Sequence, residues 1–323
     1  MAARLIRKSS RDAPGTGSAS PQHRAGESAK TAAAALSVGS NSALIAFKLV
    51  AGILTGSVAI LTEALHSSID LIASFVALFS VRKASAPADD EHRYGHYKIE
   101  NLAAAIEGVL ILVGSAVIIY EAIHRLIEGG SVHRLGVGIV VVGLSAAINV
   151  VVSSRISRVA RAYESPALEG DAAHLRTDAA TSAGVLVGLV LVQVTGASWI
   201  DAAVALAIAV AIIWSGLRLL SRSTRVLVDE GLPPQEIEAI RGCVALFGEH
   251  GVVGYHNLRT RRAGARRYID LHVQFGAGTT LEAAHRTAHE LQDAIADRLS
   301  QADVLIHLEP ADRVRPGTDV PPQ

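Results

Sequence analysis

The sequence has little charge and almost no cysteine. Only 19% of its 323 residues are charged, whereas a soluble globular protein carries about a quarter. The charge is scarcest in the first two thirds, which indicates a membrane domain followed by a soluble tail. The single cysteine, Cys243, excludes a disulfide framework and a cysteine zinc cluster.

The sequence also lacks the marks of several other protein classes. Its net charge is zero and it has no basic tract with interleaved aromatic residues, which argues against nucleic acid as a partner. It contains no GxxxxGK[ST] loop, which argues against ATP-driven pumping. Residues 1–30 are rich in Ser, Gly, Pro and Arg without an apolar core, so we expect a disordered arm and not a cleaved signal. The Pro/Gly-rich residues 312–323 are expected to be a disordered tail.

Six apolar stretches are long enough to cross a bilayer, which takes about 20 residues per helix. They lie at about 32–56, 57–82, 100–126, 135–160, 170–196 and 198–221. Lys and Arg are concentrated before the first stretch, between the second and third, and around the gap between the fourth and fifth. Because positively charged loops stay in the cytoplasm, both termini are predicted to face the cytoplasm. We expect an all-α six-helix transmembrane domain over residues 31–222. The Ala-rich, Lys-poor composition suggests a bacterial source and hence the cytoplasmic (inner) membrane.

Residues 223–311 are predicted to form a cytoplasmic α+β domain. Helical spacing begins after a pair of prolines, two alternating segments follow around a turn that contains glycine, and an amphipathic helix leads to a short strand that Pro310 closes. The resulting αββαβ order in fewer than 90 residues indicates a ferredoxin-like split βαβ sheet with helices on one face.

Two His-Asp pairs with the same spacing lie inside apolar stretches. His66 and Asp70 are in the second stretch, and His174 and Asp178 are in the fifth. A spacing of four puts each pair on one helix face, so two helices could bring together two imidazoles and two carboxylates, a ligand set that suits tetrahedral zinc. Protons and metal would compete for such a site, which is the physical basis of an antiporter. A helix-packing hydrogen bond within each pair is the alternative, and the repeated spacing argues against it.

Three other ionisable residues lie within the apolar stretches. Glu63 is three residues before His66, so it could either orient that ligand or pack toward a polar crevice. Glu107 lies in the third stretch. Lys48 could snorkel or pair with a carboxylate, and the pattern assigns it no role.

Two further groups of candidate metal ligands lie outside the apolar stretches. Asp89, His92 and His96 follow the second stretch with the spacing of a metal clip, although a solvated polar loop often contains the same residue types. The tail domain carries four histidines and a glutamate on its predicted strands and second helix: His256, His272, His285, His307 and Glu309. The last two are two residues apart and share one face of a strand. Scattered surface histidines are the alternative.

Taken together, these motifs resemble those of the cation diffusion facilitators, which are six-span antiporters of divalent metal and protons with a ferredoxin-like cytoplasmic tail. The resemblance covers about residues 32–311. It depends on segments in the family's order: GSVAILTEALHSSIDLIAS, PADDEHRYGHYKIENLAA, GDAAHLRTDAATSAGVLVGL, LVDEGLP, HNLRTRRAG, YIDLHVQF and VLIHLEP. It implies that the His-Asp quartet is the transport site and that the loop and tail groups bind metal. It also implies a homodimer in membrane lipid, with tail metal drawing the two cytoplasmic domains together.

The resemblance also bears on the choice of metal. Many bacterial relatives carry Asp where this chain has His66, and the His form is similar to the zinc-preferring branch, so Zn²⁺ is expected as cargo and regulator. The cations Cd²⁺, Co²⁺, Fe²⁺ and Mn²⁺ stay open. Glu309 stands where relatives often have Asp, which puts a bridging geometry in doubt. Lys98 and Asp229 fall where relatives form a charge interlock, with a weak surface ion pair as the alternative.

Two rival functions fit parts of the pattern. A membrane-tethered zinc sensor would use the tail alone and would have no need of ligands in lipid. An intramembrane metallohydrolase would need an open metal position and a general base, often in an HExxH motif, which the sequence lacks. We therefore expect a transporter and not an enzyme.

Overall fold

Six long helices make up the first part of the structure, a computed structural model that describes residues 21–55, 58–128, 136–195, 197 and 199–313. The helices are α1 (Pro21–Thr55), α2 (Val58–Ala84), α3 (Lys98–Glu128), α4 (Gly136–Ala162), α5 (Pro166–Thr195) and α6 (Trp199–Leu227). The prediction of a six-helix domain followed by a small α+β domain is confirmed.

The first helix begins earlier than the sequence predicts. Residues 21–30 were expected in a disordered arm, but they form the first turns of α1. Contacts with other helices hold this segment in place: Lys30 Nζ lies 2.7 Å from Glu100 Oε1, and the backbone at Gly26 lies against the ring of Tyr163. The rest of the predicted arm, residues 1–20, and residues 314–323 of the predicted tail lie outside the described residues.

Four helices are long and apolar enough to cross a membrane by their described residues alone. Within the described residues these are Ala25–Leu54, Lys98–His124, Val140–Ala162 and Ala202–Leu227. Helices α2 and α5 include residues outside the described ones, so the expectation for these two stretches stays a prediction. Both helices carry candidate metal ligands, and both pack against several other helices of the bundle, so their polar residues can face protein and not lipid.

Glycines allow close approach between helices of the bundle. A Cβ at Gly108 would lie 3.0 Å from the backbone nitrogen of Leu220, and a Cβ at Gly216 would lie 3.0 Å from Ile111 Cγ2, so α3 and α6 pack with their backbones close together. Small residues at helix contacts are the usual basis of packing in membranes, where van der Waals contact replaces the hydrophobic driving force.

Large apolar side chains cover the outer faces of the helices. They include Phe79, Val113, Val190, Val210 and Trp214, each more than half exposed. An apolar outer surface of this kind suits contact with lipid.

The tail domain has the predicted αββαβ order. Its elements are α7 (Pro234–Ala245), β1 (Val252–Ala263), β2 (Arg266–Phe275), α8 (Leu281–Arg298) and β3 (Ala302–Pro310). Strand β2 is central, antiparallel to β1 and parallel to β3. The α8 crossover between β2 and β3 begins at Thr280, whose hydroxyl accepts a hydrogen bond from the Ala283 N–H (3.2 Å). The core between helices and sheet contains Ile240, Val244, Ile269, Leu271, Leu291 and Ile295, and it includes Cys243.

An ion pair joins the start of α3 to the segment after α6, as the resemblance implies. Lys98 Nζ donates to Asp229 Oδ1 (2.8 Å) and to the Leu227 carbonyl (3.2 Å). The hydrogen bond from Lys98 holds the pKa of Asp229 below its usual range. Because Asp229 is half exposed, the pair alone contributes little stability.

Substitution of Gly170 tests the close approach of α3 and α5. We expect Gly170→Val to lower the thermal midpoint of the detergent-solubilised protein, because a Cβ there would lie 3.0 Å from Glu107 Cβ and 3.3 Å from the Ala104 Cα. Overpacking of this kind costs about 1–3 kcal/mol. Gly114→Val is the matched control, since no described atom lies within 4 Å of a Cβ at Gly114. Equal midpoints for the two variants would contradict the packing.

Candidate metal centres

Three candidate ligands meet inside the helical bundle. His174 Nε2 on α5 lies 3.4 Å from Asp70 Oδ1 on α2 and 3.9 Å from Asp178 Oδ2 on its own helix. One ligand atom from each of the three lies within 4.8 Å of the other two. The structure thus brings together three members of the predicted quartet. The fourth, His66, lies on α2, and its side chain falls outside the described residues.

Glu107 on α3 faces the same histidine from the other side. Its carboxylate is fully buried and has no hydrogen-bond partner among the described residues, and its Oε2 lies 3.8 Å from His174 Nδ1. Nε2 of His174 therefore faces the two aspartates while Nδ1 faces a third carboxylate. The sequence flagged Glu107 as an ionisable residue in a span but could not assign it to this site, because spacing along one helix does not show which other helix it meets.

A hydrogen-bond network lies next to the cluster, around Asp171 on α5. Its Oδ1 accepts hydrogen bonds from the hydroxyls of Ser37 on α1 (2.9 Å) and Ser74 on α2 (3.2 Å). Asn41 Nδ2 donates to Ser74 Oγ (2.8 Å). These bonds tie α1, α2 and α5 together one helical turn from His174. Sequence reasoning missed Asp171, although it lies within the GDAAHLRTD motif.

A polar cavity of about 250 Å³ reaches the intramembrane cluster. Asp70 and Asp178 line it, together with Lys48 and Ser67, which lie nearer the α1–α2 connection. Lys48 is buried, and its Nζ donates to Ser67 Oγ (2.8 Å), so this lysine lies inside the bundle and does not snorkel to its edge. The cavity therefore lies against both carboxylates of the cluster.

The loop between α2 and α3 brings its three predicted ligands together. Asp89 Oδ1 lies 3.2 Å from His92 Nδ1, and Asp89 Oδ2 lies 3.2 Å from His96 Nε2. The backbone N–H of His92 donates to Asp89 Oδ1 (2.6 Å) and holds the pKa of that carboxyl below its usual range. Gly95 allows this turn because its φ is +80° and a Cβ there would lie 2.9 Å from the Tyr97 ring.

In the tail, three histidines form a row across the sheet. His256 on β1 pairs in register with His272 on β2, which pairs with His307 on β3. His256 Nε2 lies 2.7 Å from Glu309 Oε2, His272 Nδ1 lies 2.7 Å from Glu309 Oε1, and His307 Nε2 lies 3.4 Å from the same Oε1. The structure thus brings four of the five predicted tail residues close together.

The Glu309 carboxylate spans the row, with each of its oxygens next to a different histidine. Burial raises the pKa of Glu309, but the hydrogen bonds from His256 and His272 outweigh it, so the pKa lies below its ordinary value. The Glu309 side chain reaches two neighbouring histidines, and whether it can bridge metals there stays a prediction.

His285 does not join this row in the structure. It is exposed on α8, and its Nε2 lies 3.0 Å from Nε2 of His289, one turn further along the helix. The sequence grouped His285 with the sheet histidines because all lie in one small domain, but the single chain does not bring them together.

All three clusters combine imidazole nitrogens with carboxylate oxygens, the donor set of zinc and similar divalent cations. The intramembrane cluster lies in a domain with membrane-spanning helices, so its cargo would be held midway across a bilayer. Such a fold and site define a membrane transporter for metal cations.

Comparison with known proteins gives the family. Residues 34–228 match the family model described as the cation efflux transmembrane domain, and residues 232–311 match the cytoplasmic domain of cation efflux proteins. The chain belongs to the cation diffusion facilitator family, whose members include cation-efflux pumps.

Individual relatives match along most of the chain. The cation-efflux pump FieF of Serratia proteamaculans is 34% identical and covers 92% of this chain and 97% of its own. An uncharacterized transporter of Synechocystis is 36% identical and covers 86% and 89%. A solved structure of CzrB in its Zn form is 37% identical over 27% of this chain and 98% of its own, with a TM-score of 0.26.

Substitution of Glu107 tests whether this carboxylate supports the intramembrane cluster. We expect Glu107→Leu to weaken zinc binding there by about tenfold, or about 1.4 kcal/mol, because it removes the buried polar group that faces His174 Nδ1 at 3.8 Å. Glu107→Gln, which keeps the shape and an acceptor, should lose less. Competition with a chromophoric chelator measures this in a background with His92→Ala and His256→Ala. Wild-type affinity in Glu107→Leu would contradict a supporting role.

Proposed function

We propose that this transporter exports Zn²⁺ from the cytoplasm in exchange for protons. It would work as a homodimer in the cytoplasmic membrane, with both termini in the cytoplasm. The observation that carries the proposal is the convergence of Asp70, His174 and Asp178 from two helices inside a bundle with an apolar outer surface.

Charge balance supports antiport. Two carboxylates cancel the charge of a divalent cation, so the loaded cluster is close to neutral and can be held in a low-dielectric bundle. Without metal, the carboxylates of Asp70 and Asp178 would remain as unbalanced charge in the membrane, which is costly. Protons taken up by the carboxylates or by His174 neutralise the empty cluster. Metal and protons then exclude each other, which couples their opposite movements.

Each residue of the cluster has a distinct part in the proposed cycle. On the cytoplasmic side, Asp70 and Asp178 give up protons as Zn²⁺ binds, with His66 completing four ligands. His174 offers Nε2, because Nδ1 faces Glu107. Rocking of the helices then exposes the cluster to the opposite side, where protons return to the carboxylates. The polar cavity beside Asp70 and Asp178 suits that path, since it extends toward the α1–α2 connection.

Ligand chemistry favours zinc among the divalent cations. Imidazole nitrogen with carboxylate oxygen in a four-ligand site is the usual choice of Zn²⁺, whereas Mg²⁺ and Ca²⁺ prefer oxygen ligands at higher coordination number. The same donors also bind Cd²⁺, Co²⁺, Fe²⁺ and Mn²⁺, so the cargo must be compared directly.

The tail domain is proposed to sense zinc. Each of the three β-strands contributes one histidine to the row, which lies on the open face of the sheet together with Glu309. His307 is largely exposed. Metal bound there could accept a further ligand from a second copy of the chain, with His285 as a candidate. Zinc in the tail would then tighten the dimer as cytoplasmic zinc rises.

Zinc flux into proteoliposomes tests the transport site. Asp70→Asn and Asp178→Asn should each lower zinc-driven proton release by at least about a hundredfold, because each removes a ligand and a negative charge together. Asp90→Asn is the control, since that carboxylate is fully exposed in the loop. All variants should insert and dimerise. Undiminished proton-coupled flux in either core variant would contradict the assignment.

Sedimentation velocity with and without zinc tests the sensing role. The double variant His256→Ala/His272→Ala should lose zinc-induced tightening of the dimer while keeping zinc transport at saturating metal, because it leaves α2 and α5 unchanged. His250→Ala, on an exposed turn of the same domain, is the control. Tightening equal to wild type in the double variant would overturn this part of the proposal.

A further inference from the structure

An arginine-rich cavity of about 500 Å³ lies between the helical bundle and the tail domain. The ends of α4, α5 and α6 form one wall, and residues of α7, β1 and β2 form the other. Five arginines line it: Arg161, Arg176, Arg222, Arg262 and Arg267. Three glutamates also line it: Glu164, Glu169 and Glu236.

Ion pairs account for three of the five arginines. Arg222 Nη1 donates to both oxygens of Glu169 (2.7 and 3.0 Å). Arg262 and Arg267 share Glu164 and Glu236 at 2.6–3.4 Å. Burial raises the pKa of Glu236, but the Arg267 hydrogen bond and the nearby guanidinium charges outweigh it, so the pKa lies below its ordinary value.

Arg161 and Arg176 remain without a carboxylate partner within the described part of the chain. Five positive charges and three negative ones leave the cavity lining at +2, so the cavity is suited to an anion and repels a dication. It is therefore unsuited to be a vestibule for the transported metal, even though it borders the same helix α5.

The position of Arg176 along α5 is the reason why its lack of a carboxylate partner matters. It lies ten residues after Pro166, the first residue of α5, or about 15 Å along the helix. A guanidinium at that depth beside a membrane needs an anionic partner or a route to the headgroup layer. The cavity supplies such a route, because Arg161 and Arg222 line it nearer the tail domain, and the apolar Leu219 and Val226 line it beside them.

We propose that this cavity binds the phosphate group of an anionic phospholipid from the cytoplasmic leaflet, with Arg161 and Arg176 as its main ligands. Guanidinium groups match phosphate oxygens bidentately, and helix ends at this level meet the negative surface of the leaflet. The bound phosphate lies between the helical bundle and Arg262 and Arg267 of the tail. Lipid binding would therefore strengthen the contact between the two domains. This inference goes beyond zinc transport and does not depend on it.

Native mass spectrometry of the full chain tests the site with defined lipids. We expect wild-type protein to retain phosphatidylglycerol in preference to phosphatidylcholine, and Arg161→Gln/Arg176→Gln to retain about tenfold less phosphatidylglycerol. Arg155→Gln/Arg158→Gln is the matched control, since these arginines are exposed like Arg161 and Arg176 but do not line the cavity. Retention unchanged in the first double variant, or lost equally in both, would overturn the proposal.

Inorganic phosphate separates a lipid headgroup from a soluble ligand. One possible result is that, in lipid-free detergent, phosphate shifts the thermal midpoint of the wild type but not that of Arg161→Gln/Arg176→Gln. If the mass spectrometry then showed no preference for phosphatidylglycerol, the anion site would be supported but the lipid would be overturned as its source. If that variant does not fold, Arg176→Lys keeps the charge and removes the bidentate geometry, so it should lose part of the phosphatidylglycerol retention. Full retention in Arg176→Lys would then count against the site.

Discussion

Carboxylates inside a membrane domain are stable only when a cation or a proton accompanies them, and four such groups lie around one histidine in this bundle. Asp70, Asp171 and Asp178 lie on α2 and α5, and Glu107 approaches His174 from α3. Because this charge cannot be left unbalanced in a low-dielectric interior, the fold must supply polar partners and a place for a mobile cation. Hydrogen bonds from serine side chains supply the polar partners of Asp171. The ligand atoms around His174, on the same helix, supply the place for a cation.

Helix α5 contributes more to this arrangement than any other described helix. It packs against α1, α2, α3, α4 and α6, and it carries three of the five ionisable side chains at the centre, namely Asp171, His174 and Asp178. Gly170 brings it close to α3, and Asp171 ties it to α1 and α2. A movement of α5 relative to α2 would change the distance between Asp70 and His174 directly. The proposed helix rocking therefore acts on the ligand set itself.

Much of this arrangement can be predicted from the sequence, because periodicity fixes which side chains share a face. The spacing of four residues placed Asp178 with His174, and alternation placed His307 and Glu309 on one side of a strand. Contacts between elements that are distant in sequence could not be predicted in the same way. Glu107 has no spaced partner on α3, so its approach to His174 became visible only in the folded bundle. Residues 21–30 look disordered by composition, yet the Lys30–Glu100 ion pair anchors them.

X-ray absorption at the zinc edge tests the central claim most directly, on protein whose loop and tail clusters have been removed by His92→Ala, His96→Ala, His256→Ala and His272→Ala. If Asp70, His174 and Asp178 hold the cargo together with His66, one zinc per chain should remain, with a shell of four nitrogen and oxygen ligands at about 2.0–2.1 Å and imidazole scattering from two histidines. Zinc absent from this protein, or bound with six oxygen ligands as in water, would contradict the account.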